Sequence, residues 1–293
     1  MPQFLLGCAV WAYKDWVGEF YPPGSRASDF LKLYSNRLYT VEGNSTFYST
    51  PNAETLLRWV AQTPPEFRFC LKVPQAITHK GLLQPKISQV LEFLENMQVL
   101  NPRQGPMFVQ LPARYGPNHF DDLQAFLESW PQEKASVALE VRHLDWFQEP
   151  WESRLNQLLE TLNIGRVLLD SRPIYLEPVD QTLIDLERKK PNVPVPFCLT
   201  APFTLIRFIS HPNPEVNQPF WQEWSQQIQQ WLQQGTQVYF FVHCPLEERS
   251  PYNAREFQHI LEQTWESDGD HRLKIPPLPW EQLIGDPVQL SLW

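Results

Sequence analysis

A chain of 293 residues with 33 acidic and 24 basic side chains, a formal charge of −9, offers no general surface for nucleic acid or anionic lipid. Its 42% hydrophobic and 13% aromatic content is enough to bury a large core. The four cysteines (Cys8, Cys70, Cys198, Cys244) are widely spaced without a CxxC pair, so they imply neither a disulfide framework nor a zinc knuckle and predict reduced cytoplasmic thiols.

The elements alternate in chain order. Phe4 to Trp11 reads as a buried strand, and Tyr21-Pro22-Pro23-Gly24 then breaks the chain ahead of a helical face of Phe30, Leu31, Leu33, Tyr34 and Leu38. Tyr39 to Ser45 is the second strand, with Thr40, Glu42 and Asn44 on one side. A helix follows Pro51-Asn52 and closes at Thr63-Pro64-Pro65. Arg68 to Pro74 is strand three, placing Cys70 and Lys72 together. A helix from Ile87 to Leu100 leads to strand four, Pro106 to Pro112, with Phe108 and Gln110 on one face. After a helix from Asp121 to Trp130, the run from Ser136 begins as a greasy strand and ends in charge. Val137, Leu139 and Val141 share one face, and Ala138, Glu140 and Arg142 the other.

The second half keeps the alternation. Trp151 to Leu162 is helical, Gly165 to Ser171 is a strand ending in Asp170, and Asp180 to Pro202 reads as a proline-rich insertion with a short charged helix. Phe203 to Ser210 aligns Leu205, Arg207 and Ile209. A helix from Phe220 to Gln234 buries a stripe of Trp221, Trp224, Ile228, Trp231 and Leu232. Gln237 to Cys244 aligns Tyr239, Phe241 and His243, and Ala254 to Trp265 is the last helix. Eight strands, nearly all trailed by a helix, predict an α/β fold, a single (β/α)₈ TIM-type barrel over residues 1–266. Residues 267–293 form a proline-containing extension. No run approaches the roughly 18 to 20 apolar residues of a membrane span.

Several motifs together resemble the YecE-like family of uncharacterised proteins: Thr40-Val41-Glu42, Asn44-Ser45-Thr46-Phe47-Tyr48, Phe69 to Lys72, Thr78-His79, Gln110-Leu111-Pro112, Glu140 with Arg142-His143 and Trp146, and Asn253-Ala254. The resemblance runs from about Leu6 to about Leu261. It implies a TIM-type barrel and no assigned reaction. The chain departs from the family pattern at Gly43, where an apolar residue is usual. Cys8-Ala9-Val10 stands where Thr-Ser-Gly is common, and His243-Cys244-Pro245 where many members carry asparagines.

Barrels of this class build their sites at the strand C-termini, and the inward positions there are Glu42, Asn44, Lys72, Gln110, Glu140, Arg142, Asp170, Arg207 and His243. Arg142, Arg207 and Lys72, with Asn44, Gln110 and His243, suit a phosphate or carboxylate on a small substrate. Glu140, Asp170 and Glu42 suit general acid and base work, so hydrolysis or isomerisation is the leading enzymatic expectation. The competing expectation is a self-satisfied ion-pair layer in a non-enzymatic binding or adaptor protein. Trp11, Trp146 and Tyr48 are stacking candidates or loop packing. Glu42, His79, Glu140, Asp170, His211 and His243 are acceptable metal ligands, yet none sits at a tight ligand spacing, so no metal and no cofactor is expected. A metal-dependent phosphodiesterase is disfavoured by the acidic charge. By strand parity Cys244 points away from the axis, as a buried inert thiol.

The chain ends Pro287-Val288-Gln289-Leu290-Ser291-Leu292-Trp293. This resembles the Gln-Leu-Ser/Asp-Leu-Phe peptide by which bacterial proteins dock on the DNA-polymerase sliding clamp, with Trp293 in place of Phe. Gln289 would hydrogen-bond at the edge of the clamp pocket while Leu290, Leu292 and Trp293 fill it. The alternative is that these residues fold back on the barrel itself.

Overall fold

The computed structural model describes residues 3–176, 190–267, 275 and 277–284. Its eight parallel strands are β1 (Phe4–Cys8), β2 (Thr40–Gly43), β3 (Arg68–Leu71), β4 (Met107–Gln110), β5 (Val137–Glu140), β6 (Gly165–Asp170), β7 (Phe203–Ile209) and β8 (Gln237–His243). They pair in the order β3-β2-β1-β8-β7-β6-β5-β4. The two ends meet through the bridges Phe69 to Gln104 and Lys72 to Phe108, where the Val73 N–H donates to the Phe108 carbonyl at 2.9 Å. A nearly closed barrel results, leaving almost no strand edge unpaired.

Apart from single turns, the described helices between the strands are α1 (Phe30–Ser35), α2 (Ala53–Gln62), α3 (Ile87–Met97), α4 (Phe120–Glu128), α5 (Trp151–Thr161), α6 (Pro214–Gln233) and α7 (Ser250–Ser267), followed by α8 (Pro279–Ile284). Between β6 and β7 the described chain holds one turn, Pro173–Leu176, and an irregular stretch from 190 to 202. The short charged helix expected there lies outside the described residues. Two helices begin earlier than the apolar stripe alone predicts. The stripe of α6 predicts a start at Phe220, but the Asn213 side chain accepts from the Glu215 N–H at 3.1 Å and Pro214 stands in the first turn, so the helix opens upstream. In α7 the polar Ser250 begins the helix four residues ahead of Ala254. Past α7, Leu278 is fully buried and Trp280 of α8 packs edge-on to Phe20 with ring centroids 5.0 Å apart, so barrel packing continues beyond residue 267.

The two-residue strand period divides the core into two layers. Outward residues such as Leu6, Val41, Phe69, Val109, Leu139, Leu168, Phe208 and Phe240 pack with the helices. Inward residues Leu5, Cys70, Phe108, Ala138, Val167, Leu205, Tyr239 and Phe241 form a separate apolar plug on the barrel axis. Gly7 lets β1 lie close to β2, since a Cβ there would sit 2.0 Å from the Thr40 carbonyl oxygen. At Gly43 the room for a side chain is taken by Leu71, which accounts for the missing apolar residue.

Candidate functional site

One step further toward the strand C-termini, the inward side chains change character. Above Thr40 stands Glu42, above Cys70 Lys72, above Phe108 Gln110, above Ala138 Glu140, above Leu205 Arg207, and above Phe241 His243. All six are at most 7% exposed. The apolar plug closes the barrel beneath them, so they form the floor of its C-terminal mouth.

Arg207 is the hub. Its Nε donates to Glu42 Oε2 at 2.7 Å and its Nη2 to Glu42 Oε1 at 2.8 Å, while Nη1 reaches Glu140 Oε2 at 2.7 Å. Arg142, just beyond β5, donates from Nε to the other oxygen of Glu140 and from Nη2 to Gln110 Oε1 at 2.7 Å. Asn44 donates to Glu42 Oε1 at 2.9 Å and to the Ala9 carbonyl at 3.0 Å, and His243 Nε2 lies 3.0 Å from Glu42 Oε2. Burial alone would raise the Glu42 carboxyl, but Arg207 and His243 outweigh it and hold it well below its usual range. Against the same burial, Arg142 and Arg207 hold the Glu140 carboxyl down. Burial lowers His243 to about 4 in spite of Glu42, so its ring is neutral at physiological pH.

Lys72 stands apart from this network. Its Nζ lies over the Phe47 ring at 3.9 Å and 5.7 Å from the Phe108 centroid, and among the described residues it makes no hydrogen bond or ion pair. Burial, with Arg207 beside it, lowers its pKa to about 8. Two groups from the loops join the mouth without having been expected there. Lys190 has its ammonium disfavoured by burial and by Arg207, and burial pushes the Glu247 carboxyl up to about 8. The cations Lys72, Arg142, Arg207 and Lys190 therefore face two ionised carboxylates, an excess of positive charge inside an acidic chain. Phe47 was within reach of the sequence, since it sits in the Asn44 to Tyr48 motif. Lys190 had no periodic signal to betray it.

Of the nine candidates, eight come together and Asp170 does not. Asp170 pairs with Phe208 on the outward face, where its carboxylate accepts from Arg172 Nε at 3.0 Å and Nη2 at 2.8 Å and from Trp224 Nε1 at 2.8 Å. The expected inward carboxylate at this strand end is thus a buried anchor for α6.

The aromatic candidates divide. Trp11 packs edge-on to Trp59 with centroids 5.1 Å apart, and Trp146 is buried with its Nε1 donating to the Tyr115 carbonyl at 2.8 Å, so both are loop packing. Tyr48 is 74% exposed. Cys244 is buried, and burial pushes its thiol up to about 12. Among the described residues, none of the mouth side chains joins a cluster of three metal-ligating groups. Among the described residues that geometry occurs at His259, Glu262 and Glu281, on α7 and α8 outside the barrel. None of the described helices is long and apolar enough to cross a membrane. The clamp-like residues Gln289, Leu290, Leu292 and Trp293 lie outside the described residues.

The family model for the protein of unknown function DUF72 matches residues 5–282. The UPF0759 protein YecE of Escherichia coli (strain K12) is 38% identical over 290 residues, covering 98% of this chain and 99% of the relative. The UPF0759 protein YunF of Bacillus subtilis (strain 168) is 26% identical over 152 residues, half of this chain and 53% of the relative. In fold, the chain is similar to a DUF72 family protein of Enterococcus faecalis V583, with a TM-score of 0.69, 20% identity, and 88% and 95% of the two chains covered. It is also similar to one of Thermotoga maritima MSB8, with a TM-score of 0.66, 20% identity, and 88% and 99% covered.

Proposed function

The chain belongs to the DUF72 family of proteins of unknown function, and we propose that it binds a small anionic metabolite at the C-terminal mouth of its barrel. The observation that carries this reading is the Lys72 ammonium, 7% exposed and without an acceptor among the described residues, in a floor that also holds Arg142. A purely structural ion layer accounts for Glu42, Arg207 and Glu140, which satisfy one another. It does not account for a largely buried ammonium whose contacts among the described residues are the ring faces of Phe47 and Phe108 and not a carboxylate, because desolvating a charge without an anionic partner costs stability. An anion seated between Lys72 and Arg142 would supply the missing charge, and the Arg142 guanidinium, 20% exposed, is open to an incoming ligand.

The carboxylates serve this reading as holders of the arginines. Glu42 and Glu140 are both kept ionised, so neither is the protonated partner that glycoside-type acid and base chemistry requires. With Asp170 turned outward, the proton donor that either hydrolysis or isomerisation needs at this mouth is Glu247, whose carboxyl burial pushes up to about 8. The cationic excess also disfavours a metal-dependent phosphodiesterase.

Titration with sulfate and phosphate by calorimetry tests the reading. The expected result is saturable binding that Arg142→Met weakens by about tenfold, the loss of one charge-assisted contact. A variant that melts at lower temperature yet binds sulfate as before would make the charged floor a structural layer.

A further inference from the structure

We infer that Lys72 is a nucleophile that condenses with a small anionic aldehyde or ketone to form an imine, an inference that rests on the anion-binding reading of the same mouth. The geometry points to the amine itself. Lys72 follows the last residue of β3, inward and one step above Cys70, where a parallel barrel presents reacting groups. Phe47 and Phe108 wall its Nζ at 3.9 and 5.7 Å, and among the described residues no acceptor ties it down. Arg142 and Arg207, the guanidiniums of the floor, stay protonated and so are not nucleophiles, and the second ammonium of the mouth, Lys190, comes from the irregular stretch before β7 and not from a strand end. An amine that is desolvated and set beside fixed cations keeps its lone pair available near neutral pH. The lowering of its pKa to about 8 is consistent with this placement.

The step balances without an oxidant or reductant. The neutral amine's lone pair attacks the carbonyl carbon and the carbonyl π pair moves to oxygen. The ammonium nitrogen so formed loses one proton and the oxygen takes one up, giving a neutral carbinolamine. A second proton on that oxygen lets the nitrogen lone pair expel it as water, and the nitrogen's remaining proton leaves to give the neutral imine, so the two protons of the water balance the two lost by the amine. One carbonyl compound is consumed and one water released. Arg142 holds the carboxylate or phosphate of the same molecule, so the substrate class is a 2-oxo acid or a phosphorylated aldehyde or ketone.

The experiment uses the full chain with glyoxylate and with pyruvate at pH 7, sodium cyanoborohydride to reduce any imine, and peptide mapping by mass spectrometry. The exposed Lys80 is the internal control. The reduced adduct is expected at Lys72 at least about tenfold faster than at Lys80, because an ordinary lysine near pKa 10.4 is almost wholly protonated at this pH. Sulfate should slow the labelling by competition. Lys72→Arg keeps the cation and so should still bind sulfate while losing the adduct. If sulfate, glyoxylate and pyruvate bind but Lys72 is labelled no faster than Lys80, the imine inference is overturned and the anion site stands. If none of the three binds, both fall.

Discussion

Arg207 and Glu42 are 165 residues apart in the chain and meet in a two-point fork of 2.7 and 2.8 Å. Strands β1 and β8 lie between their own strands, and Arg207 also spans to Glu140 on β5. One guanidinium therefore ties three non-adjacent strands at the top of the barrel. Removing one partner of a buried pair leaves a charge stranded, whereas a half-open one can turn to water. Arg207→Met is expected to cost about 3–5 kcal/mol in urea unfolding. Arg142→Met, at a guanidinium 20% exposed, should cost clearly less. Equal losses would show that the floor does not hang on Arg207.

The neutral imidazole of His243 makes stability depend on pH in a definite sense. Burial, with Arg207 and Lys190, lowers it to about 4 against the pull of Glu42, while in the unfolded chain it titrates near 6.5. Between these values the unfolded chain binds the proton and the folded chain does not, so stability falls as pH drops from about 6.5 toward 4. Glu42 and Glu140, held below their usual range, contribute stability above about 4.5 that is lost as pH falls through their lowered values. Their window thus lies lower. His79, lowered to about 4 by burial and Lys72, acts in the same sense as His243. Thermal melts of His243→Gln and the parent chain from pH 7 to 4.5 isolate His243: the variant should lose less stability over that range. Parallel curves would refute the assignment.

How far the site could be read from sequence depended on whether a strand alternates. Ser136 to Phe147 has apolar Val137 and Leu139 against Glu140 and Arg142, so its phase was plain and both polar groups lie where parity put them. The strand Gly165–Asp170 carries Val167, Leu168 and Leu169 in succession, apolar on both faces. Nothing in that run fixes which face Asp170 takes, and pairing with Phe208 puts it outside. The barrel was legible because alternation of strand and helix survives such local ambiguity. The starts of α6 and α7 were not, since the polar residues that open a helix fall outside its apolar stripe. Lys190 joins the mouth from an irregular stretch, where position depends on tertiary packing that no periodicity encodes.

Asp170→Ala separates stability from ligand binding. The change leaves the Trp224 indole N–H without its acceptor and removes the anchor of Arg172, which also pairs with Glu223 at 2.6 Å. An unsatisfied buried donor costs about 1–3 kcal/mol. The expected outcome is a loss of that order in chemical denaturation, with sulfate affinity unchanged. A sharp fall in sulfate affinity without destabilisation would return Asp170 to the site.

The anion site should also weaken with rising pH. Lys72 loses its proton near pH 8, and the groups facing it are Arg207, Arg142, Glu42 and Glu140, with the half-buried His79 close by. A bound anion favours the ammonium, so binding takes up a proton once the free amine has begun to lose it, and affinity falls above about pH 8. Sulfate is the probe of choice, since its own charge is constant from pH 6 to 10, as that of phosphate is not. For the parent chain, calorimetric affinity should be flat up to about pH 7 and on the order of tenfold weaker at pH 9.5, the worth of one charge-assisted contact. Lys72→Arg keeps its charge throughout and should remove most of that decline. The remainder belongs to Lys190, whose ammonium is also disfavoured by burial. If the parent and the Lys72→Arg chain decline in parallel, Lys72 does not hold the anion, and the unpaired ammonium over Phe47 needs another explanation.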